Sequence, residues 1–239
     1  MRKAQTAVPW YVHPAEAPQE WSWLAAQRRK ISFAVLNVHD GPGSDDDEYY
    51  PAAVAELRPR IQLLGYVRVD YGNRPVADVA RDIHSWQRLY GLDGIMLDEL
   101  PSVPQSLARC AQYAAAARNA GIKFLAANPG RFPTLAHMDL FDVTAVFEGT
   151  AGSYAEFAQP AWARDVPPAR MWHLVYDCSP GEIAVVRLAA GSHGAGHVFA
   201  TDRSLPNPWR GTPTAVSEHL VAGHRGARRL AARRDAVRR

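Results

Sequence analysis

The sequence predicts a single-domain (β/α)8 barrel, and three observations point to that fold. The chain has 239 residues, close to the roughly 250 that such barrels usually contain. Short runs of β-branched and aromatic residues alternate with amphipathic stretches, which is the order of a parallel sheet with crossover helices. Eight such runs are present, and eight strands close a barrel, whereas an open doubly wound sheet usually has fewer.

The predicted strands are nearly continuous apolar runs, as expected where both faces of a parallel sheet are buried. They are residues 8–14, 31–38, 61–69, 93–99, 122–129, 142–149, 170–177 and 197–202. Helical stretches lie between them, and those at 75–91 and 102–121 each end in a glycine. Trp86 and Tyr90 have helical spacing and are predicted to be core residues. No glycine-rich phosphate loop follows the first strand, which disfavours nucleotide binding.

The charge distribution divides the chain into a barrel domain at 1–224 and a basic tail at 225–239. The net charge is +3, but the tail alone carries seven Arg and one Asp, so the rest of the chain is acidic. Clustered arginines can bind nucleic acid, yet a solvated chain end is the preferred interpretation and no nucleic-acid partner is expected.

Targeting signals and disulfides are not indicated. No apolar run approaches the roughly 20 residues of a membrane span, and the first residues lack the apolar stretch of a secretory signal. Cys110 and Cys178 fall on a predicted helix and near a distant strand, so a disulfide between them is not expected. The compartment stays open.

Polar residues follow the predicted strands, at the barrel face where active sites of this fold form. They are His13, Asn37, His39, Asp40, Asp70, Tyr71, Arg74, Asp98, Glu99, Asn128, Glu148, Tyr176, Asp177, Thr201 and Asp202. Aromatic residues near strand ends or in loops are expected to stack on sugar rings. They are Trp10, Tyr11, Tyr71, Tyr154, Trp162 and Trp209.

Three carboxylates stand out because apolar strands lead directly into them. Asp98 and Glu99 follow GIML, and Glu148 follows TAVF. Burying a carboxylate costs free energy unless it is paired or used, and glycoside cleavage needs two of them. A separation of roughly 5 to 5.5 Å would indicate retention, and one of roughly 6.5 to 9.5 Å inversion. Alternatively, the acids hold arginines or cap helices.

Several sequence blocks resemble the spherulation-specific family 4 (spherulin-4) proteins over about residues 10 to 210. The blocks are LNVHDGPGS, LLGYVRVDYGNRPVADVARDI, YGLDGIMLDELP, NPGRFP, FEGTAGSY and FATD. The resemblance implies a retaining hydrolase of α-1,4-linked galactosamine or N-acetylgalactosamine polysaccharides. It makes Asp98 the nucleophile and Glu148 the general acid/base, with Glu99 orienting Asp98. An exchange of the first two roles stays open.

The resemblance also implies a substrate groove lined by Tyr71, Arg74 and Asn128. Arg74 has a second interpretation, as a structural partner of Asp98 or Glu99. Further substrate-binding candidates stand at strand ends, and they are Asn37, Tyr176 and Asp202. Tyr176 takes a place where family members often have His.

No metal or cofactor is expected. The acidic run at 45–48 is interpreted as a solvated segment or helix start, and the histidines lack the spacing of a zinc site.

Two other functions remain open. One is a non-catalytic carbohydrate-binding or developmental barrel protein. The other is a sugar-phosphate lyase or isomerase, for which GSHGAG at 191–196 is the one glycine-rich candidate. A polysaccharide is the expected partner and the oligomeric state is left open. The family resemblance implies secretion, although no signal peptide is visible.

Overall fold

The computed structural model describes residues 3–27, 29–44 and 46–218, and it contains a closed barrel of parallel strands. Each strand pairs with its neighbours in chain order, and β8 pairs with β1. This confirms the predicted (β/α)8 class. The strands are β1 Gln5–Trp10, β2 Ile31–Leu36, β3 Gln62–Arg68, β4 Gly94–Asp98, β5 Phe124–Asn128, β6 Val143–Thr150, β7 Met171–Tyr176 and β8 His197–Ala200.

Helices connect the strands and cover the barrel. They are α1 Pro18–Ala26, α2 Tyr50–Leu57, α3 Val76–Tyr90, α4 Leu107–Asn119, α5 Leu135–Met138, α6 Ala151–Ala155 and α7 Pro180–Ser192. As predicted, α3 ends at Gly91, whose φ of 64° lies in the left-handed region that terminates helices. Trp86 and Tyr90 are buried, which confirms their prediction as core.

The start of the first strand differs from the prediction of 8–14. β1 begins at Gln5, because Gln5 and Thr6 pair with β8 and close the barrel. The chain leaves the sheet at Tyr11, whose backbone N–H donates to the Trp209 carbonyl. Val12, which was predicted to belong to the strand, lies outside it. Its carbonyl accepts a hydrogen bond from the indole of Trp21 in α1.

Contact between β3 and α3 positions a tyrosine at the end of the barrel. The Trp86 indole donates a 2.8 Å hydrogen bond to the carbonyl of Tyr66. Gly65 lies directly beneath this ring, where a Cβ atom would approach the indole closer than real Cβ atoms do. Glycine at 65 thus lets the helix pack tightly enough to fix the backbone that carries Tyr66.

Three further predictions concern the cysteines, membrane spans and the basic tail. Cys110 in α4 and Cys178 after β7 are buried free thiols. Within residues 3–218, apart from the two undescribed positions, no helix is long and apolar enough to cross a membrane. The predicted basic tail at 225–239 lies outside the described residues and stays a prediction.

Candidate active site

Two carboxylates meet at the carboxyl end of the barrel, joined by one amide. Asp98 ends β4, Asn128 ends β5 at the paired register position, and Glu148 lies in β6. The amide nitrogen of Asn128 donates to Asp98 Oδ1 at 2.8 Å and to Glu148 Oε2 at 2.5 Å. Those two carboxylate oxygens are therefore at most about 5.3 Å apart, the two bond lengths end to end.

The turn after β5 fixes the orientation of the Asn128 amide. Its oxygen accepts a 3.0 Å hydrogen bond from the backbone N–H of Gly130. The Gly130 carbonyl in turn accepts from the Glu148 backbone N–H at 3.0 Å. With the oxygen engaged by this turn, the NH2 group is left to face both carboxylates. Gly130 has a φ of 66°, a conformation that favours glycine.

Asp98 is enclosed but accepts three hydrogen bonds. The donors are the Tyr66 hydroxyl, the Asn128 amide and the backbone N–H of Glu99. Burial, and after it the negative charge of Glu148, raises the pKa of Asp98 to about 7 although these hydrogen bonds lower it. Burial and the neighbouring charge thus favour the protonated form of this carboxyl far more than in water.

Glu148 also has a raised pKa, and burial is the cause. Hydrogen bonds from Asn128 and from the Trp209 indole oppose the shift. Two enclosed carboxylates this close do not both ionise readily, so the pair favours holding a single proton near neutral pH. With one proton on the pair, one acid can donate that proton while the other stays ionised.

Glu99 contacts the pair through its backbone, since its N–H donates to Asp98. Its side chain faces Arg68, at 3.9 Å. Burial raises the pKa of Glu99, and the Arg68 charge opposes that shift. The structure thus places Glu99 beside Asp98, and the contact between them is made by the Glu99 main chain.

Backbone conformations that cost free energy cluster at this end of the barrel. Non-glycine residues with positive φ follow β2, β3, β4 and β7, and they are Asp40, Asp70, Tyr71, Glu99 and Asp177. Each such conformation costs on the order of 1–3 kcal/mol and persists where surrounding structure imposes it. Their concentration at these strand ends supports the carboxyl face as the place of the candidate site.

A cavity of about 720 Å³ opens above the carboxylates, within the size range of ligand pockets. It contains six of the nine residues predicted to form the site. They are Tyr71, Asp98, Glu99, Asn128, Glu148 and Tyr176. Tyr71 is the most accessible of these, with 65% of its surface exposed, so its ring is available to a ligand.

The other three predicted residues serve local structure outside this cavity. The Asn37 side chain accepts from the Gly41 backbone N–H at 3.0 Å. Asp202 accepts from the Thr214 backbone N–H at 2.7 Å. Arg74 pairs with Asp82 at 2.6 Å and donates to the Arg68 carbonyl. The partner of Arg74 is therefore neither Asp98 nor Glu99.

Arg74 and Asp82 line a second cavity, of about 640 Å³, beside the first. His13 and Asp47 also line it, and they are joined by a 2.9 Å hydrogen bond. Asp47 accepts from the backbone N–H groups of Tyr49 and Tyr50, so this part of the acidic run begins α2 as the sequence predicts.

Tyr66 is a site residue that the sequence pattern did not single out. Its hydroxyl donates to Asp98. Tyr11, expected from the sequence to stack on a sugar, instead packs edge-on against Tyr66 with ring centroids 5.6 Å apart. Burial raises the pKa of Tyr11, and the charges of Asp98 and Glu148 add to the shift. The feature of the sequence that could have identified Tyr66 is its place in β3, because alternate side chains of a barrel strand point toward the barrel axis.

Three aromatic residues expected to stack on sugars are instead buried. Trp10, Tyr154 and Trp209 each expose 7% of their surface or less. Trp209 packs edge-on against Tyr176 with centroids 6.0 Å apart while its indole reaches Glu148. Little of the Trp209 ring face is therefore available to stack on a sugar.

The glycine-rich segment at 191–196 spans the end of α7 and the connection to β8, so it leads into the amino end of that strand. The cavity with the carboxylates is at the opposite end of the barrel. In barrels of this class, phosphate sites form at the carboxyl face. The segment therefore gives no support to sugar-phosphate chemistry in the described cavity.

The fold and the site together define a (β/α)8 barrel with a hydrogen-bonded carboxylate pair beneath an open cavity. The model of the spherulation-specific family 4 matches residues 5–222. The chain belongs to that family. Spherulin-4 of Physarum polycephalum is 30% identical over 166 residues, which make up 68% of this chain and 49% of that protein. The chain thus spans about half the length of this curated relative.

Solved structures share the fold. Aspergillus clavatus Sph3 in complex with GalNAc superposes with a TM-score of 0.73 at 23% identity, covering 91% of this chain and 96% of that one. The ICChI chitinase from Ipomoea carnea gives a TM-score of 0.52 at 15% identity, covering 82% and 94%. At these sequence identities, the structural similarity establishes the barrel fold. The chemistry has to be argued from the residues of the site.

Proposed function

We propose that the protein is a retaining glycoside hydrolase that cleaves an α-1,4-linked galactosamine or N-acetylgalactosamine polysaccharide. The observation that carries the proposal is the Asp98–Asn128–Glu148 arrangement beneath the cavity. Asp98 Oδ1 and Glu148 Oε2 lie no more than about 5.3 Å apart, which is closer to the roughly 5 to 5.5 Å between the carboxyl groups of retaining enzymes than to the roughly 6.5 to 9.5 Å of inverting ones.

In the proposed reaction, ionised Asp98 attacks the anomeric carbon while Glu148 gives its proton to the departing glycosidic oxygen. The glycosyl–Asp98 ester is then cleaved by water, which gives one proton back to Glu148 as Asp98 leaves. The donors from Tyr66 and Asn128 stabilise Asp98 whenever it carries negative charge. The exchanged assignment stays open, because the pKa of both acids is raised.

Three observations support a carbohydrate substrate. The chain belongs to the spherulation-specific family 4, and a barrel of the same fold, Sph3, was crystallised with GalNAc. The cavity wall supplies Tyr71 and Tyr176, amphipathic side chains of the kind that bind sugar faces and hydroxyls.

The test is release of reducing ends from purified galactosaminogalactan and from partially de-N-acetylated material, with products identified by mass spectrometry. Asp98→Asn and Glu148→Gln should each reduce the rate by at least about a hundredfold, because each removes a group that acts only in the transition state. Asp93→Asn is a matched control, since Asp93 precedes the same strand at its amino end and pairs with Lys123 there.

Three outcomes would contradict the proposal. Equal product from wild type and both active-site variants would show that the pair does not catalyse. Binding of the polymer without any cleavage would favour the non-catalytic carbohydrate-binding protein. Product of inverted anomeric configuration, read by NMR at early times, would contradict the retaining mechanism specifically.

A further inference from the structure

Arg131 presents a positive charge to the cavity that holds the carboxylate pair. It lines that cavity and is exposed. Its backbone is held in place, because it forms an antiparallel bridge with Phe147, the residue before Glu148. The preceding carbonyl, of Gly130, accepts from the Glu148 N–H. The Arg131 side chain therefore starts from an anchored point of the backbone next to the proposed acid/base.

Arg131 makes no hydrogen bond or ion pair with any residue that the structure describes. Other arginines near the carboxyl face are engaged: Arg68 lies 3.9 Å from both Asp40 and Glu99, and Arg74 binds Asp82. Asp98 and Glu148 are joined instead through Asn128. A charge with no role in holding the fold, placed on the wall of a cavity, is available to a ligand.

The substrate class proposed above carries either of two groups at its 2-position. A free amine is an ammonium at neutral pH, whereas an N-acetyl group is neutral and offers a carbonyl oxygen. A guanidinium is always charged and has five N–H donors but no acceptor. It repels the first group and can donate to the second.

We propose that Arg131 is a specificity-determining residue, which makes the cavity favour N-acetylated over free-amine sugars at the position it faces. This inference rests on the proposed function for its substrate class. The carboxylates by themselves would attract an ammonium. Arg131 opposes that attraction on the β5–β6 side of the cavity, so the preference for an acetylated sugar depends on its charge.

The experiment measures binding, by calorimetry, of fully N-acetylated and fully de-N-acetylated α-1,4-galactosamine oligomers of equal length. All proteins carry Glu148→Gln so that no substrate is cleaved. The ratio of the two dissociation constants is compared among the parent, Arg131→Gln, Arg131→Lys and Arg164→Gln. Arg164 is the matched control, because it is exposed, does not line the cavity and forms no ion pair with the described part of the chain.

The parent should bind the acetylated oligomer more tightly. Arg131→Gln should reduce that preference by roughly threefold to tenfold, the size of one partly screened charge interaction. Arg131→Lys and Arg164→Gln should retain it, and added salt should weaken it in the parent. Retention by the lysine variant would separate the effect of charge from a local disturbance of the fold.

An unchanged ratio in Arg131→Gln, equal affinity of the parent for both oligomers, or binding of neither would each overturn the inference. Failure of the proposed function is detected separately, by the absence of reducing ends with the wild-type protein. Selective binding without cleavage would contradict the hydrolase and leave the role of Arg131 intact.

Discussion

The indole N–H of Trp209 donates a hydrogen bond to the carboxylate of Glu148. Trp209 belongs to the segment after β8, and its backbone carbonyl accepts from Tyr11 at the end of β1. One residue therefore connects the strands that close the barrel to the proposed acid/base.

Trp209→Phe should raise the pKa of Glu148, because the indole bond favours the ionised form. The basic limb of kcat/KM, where the proton donor is lost, should move to higher pH, and the maximal rate should fall about tenfold. Profiles measured on the same polymer test this, with Trp162→Phe as the control in a separate aromatic cluster. A profile that keeps its shape and only falls in height would contradict the assignment.

Tyr66→Phe should raise the pKa of Asp98 above about 7, since it removes a donor to the ionised form and keeps the ring. If Asp98 is the nucleophile, the acidic limb of the profile moves to higher pH, because activity requires its ionised state. A shift of the basic limb instead would show that Asp98 is the proton donor and that the roles are exchanged.

Asn128→Ala should reduce kcat by roughly 10²- to 10³-fold, the cost of losing one preorganised donor in an enclosed site. It removes the hydrogen bonds to both Asp98 and Glu148. Single-turnover kinetics measures the effect, and circular dichroism checks the fold. Asn119→Ala, at the exposed end of α4, serves as the control. An effect as small as that of the control would mean that the amide does not act on the pair.

Asp98→Asn should stabilise the protein, and by more at high pH. The pKa of Asp98 is raised from 3.8 to about 7 in the folded state, so ionisation opposes folding. This penalty is absent below about pH 4, grows as the pH rises toward about 7 and is complete above it. Urea unfolding at about pH 8 should show a gain of roughly 1–3 kcal/mol, which shrinks toward about pH 4. A gain independent of pH would mean that ionisation of Asp98 is not its cause.

Gly65→Ala should destabilise the fold by about 1–3 kcal/mol, because the new methyl group meets the Trp86 ring. The displaced Tyr66 should lower activity as well. Gly181→Ala is the control, since nothing lies within 4 Å of a Cβ atom at that position in α7. The measurement is the urea midpoint of unfolding of both variants. Equal midpoints would contradict the claim that close packing against Trp86 requires glycine at 65.

Strand and helix order could be predicted from the sequence because apolar runs and closing glycines recur with the period of the fold. The start of β1 could not, since Gln5 and Thr6 are polar residues that join the sheet only because β8 returns beside them. Long-range pairing of this kind leaves no local signal.

The acids of the site were predictable for a similar reason, as charges that end apolar strands. Asn37, Arg74 and Asp202 share that position along the chain, yet their partners are a loop N–H, Asp82 and the Thr214 N–H. Sequence alone does not separate a polar group that completes a turn from one that faces a ligand. The contact of Tyr66 escaped prediction because its ring resembles a core residue, whereas its hydroxyl makes the contact with Asp98. Trp209 was expected to offer its ring face to a sugar, whereas its indole N–H makes the contact with Glu148.

The Asp98, Asn128 and Glu148 side chains all come from adjoining strands, and none comes from a loop. Substitutions in the connections at 101–106 and 131–134, which leave the Gly130 turn in place, can therefore alter which ligand the cavity accepts while the spacing of the acids stays the same. A slip of β5 by one residue, by contrast, would turn Asn128 to the opposite face of the sheet. Directed evolution of new selectivity should accordingly concentrate on those two connections.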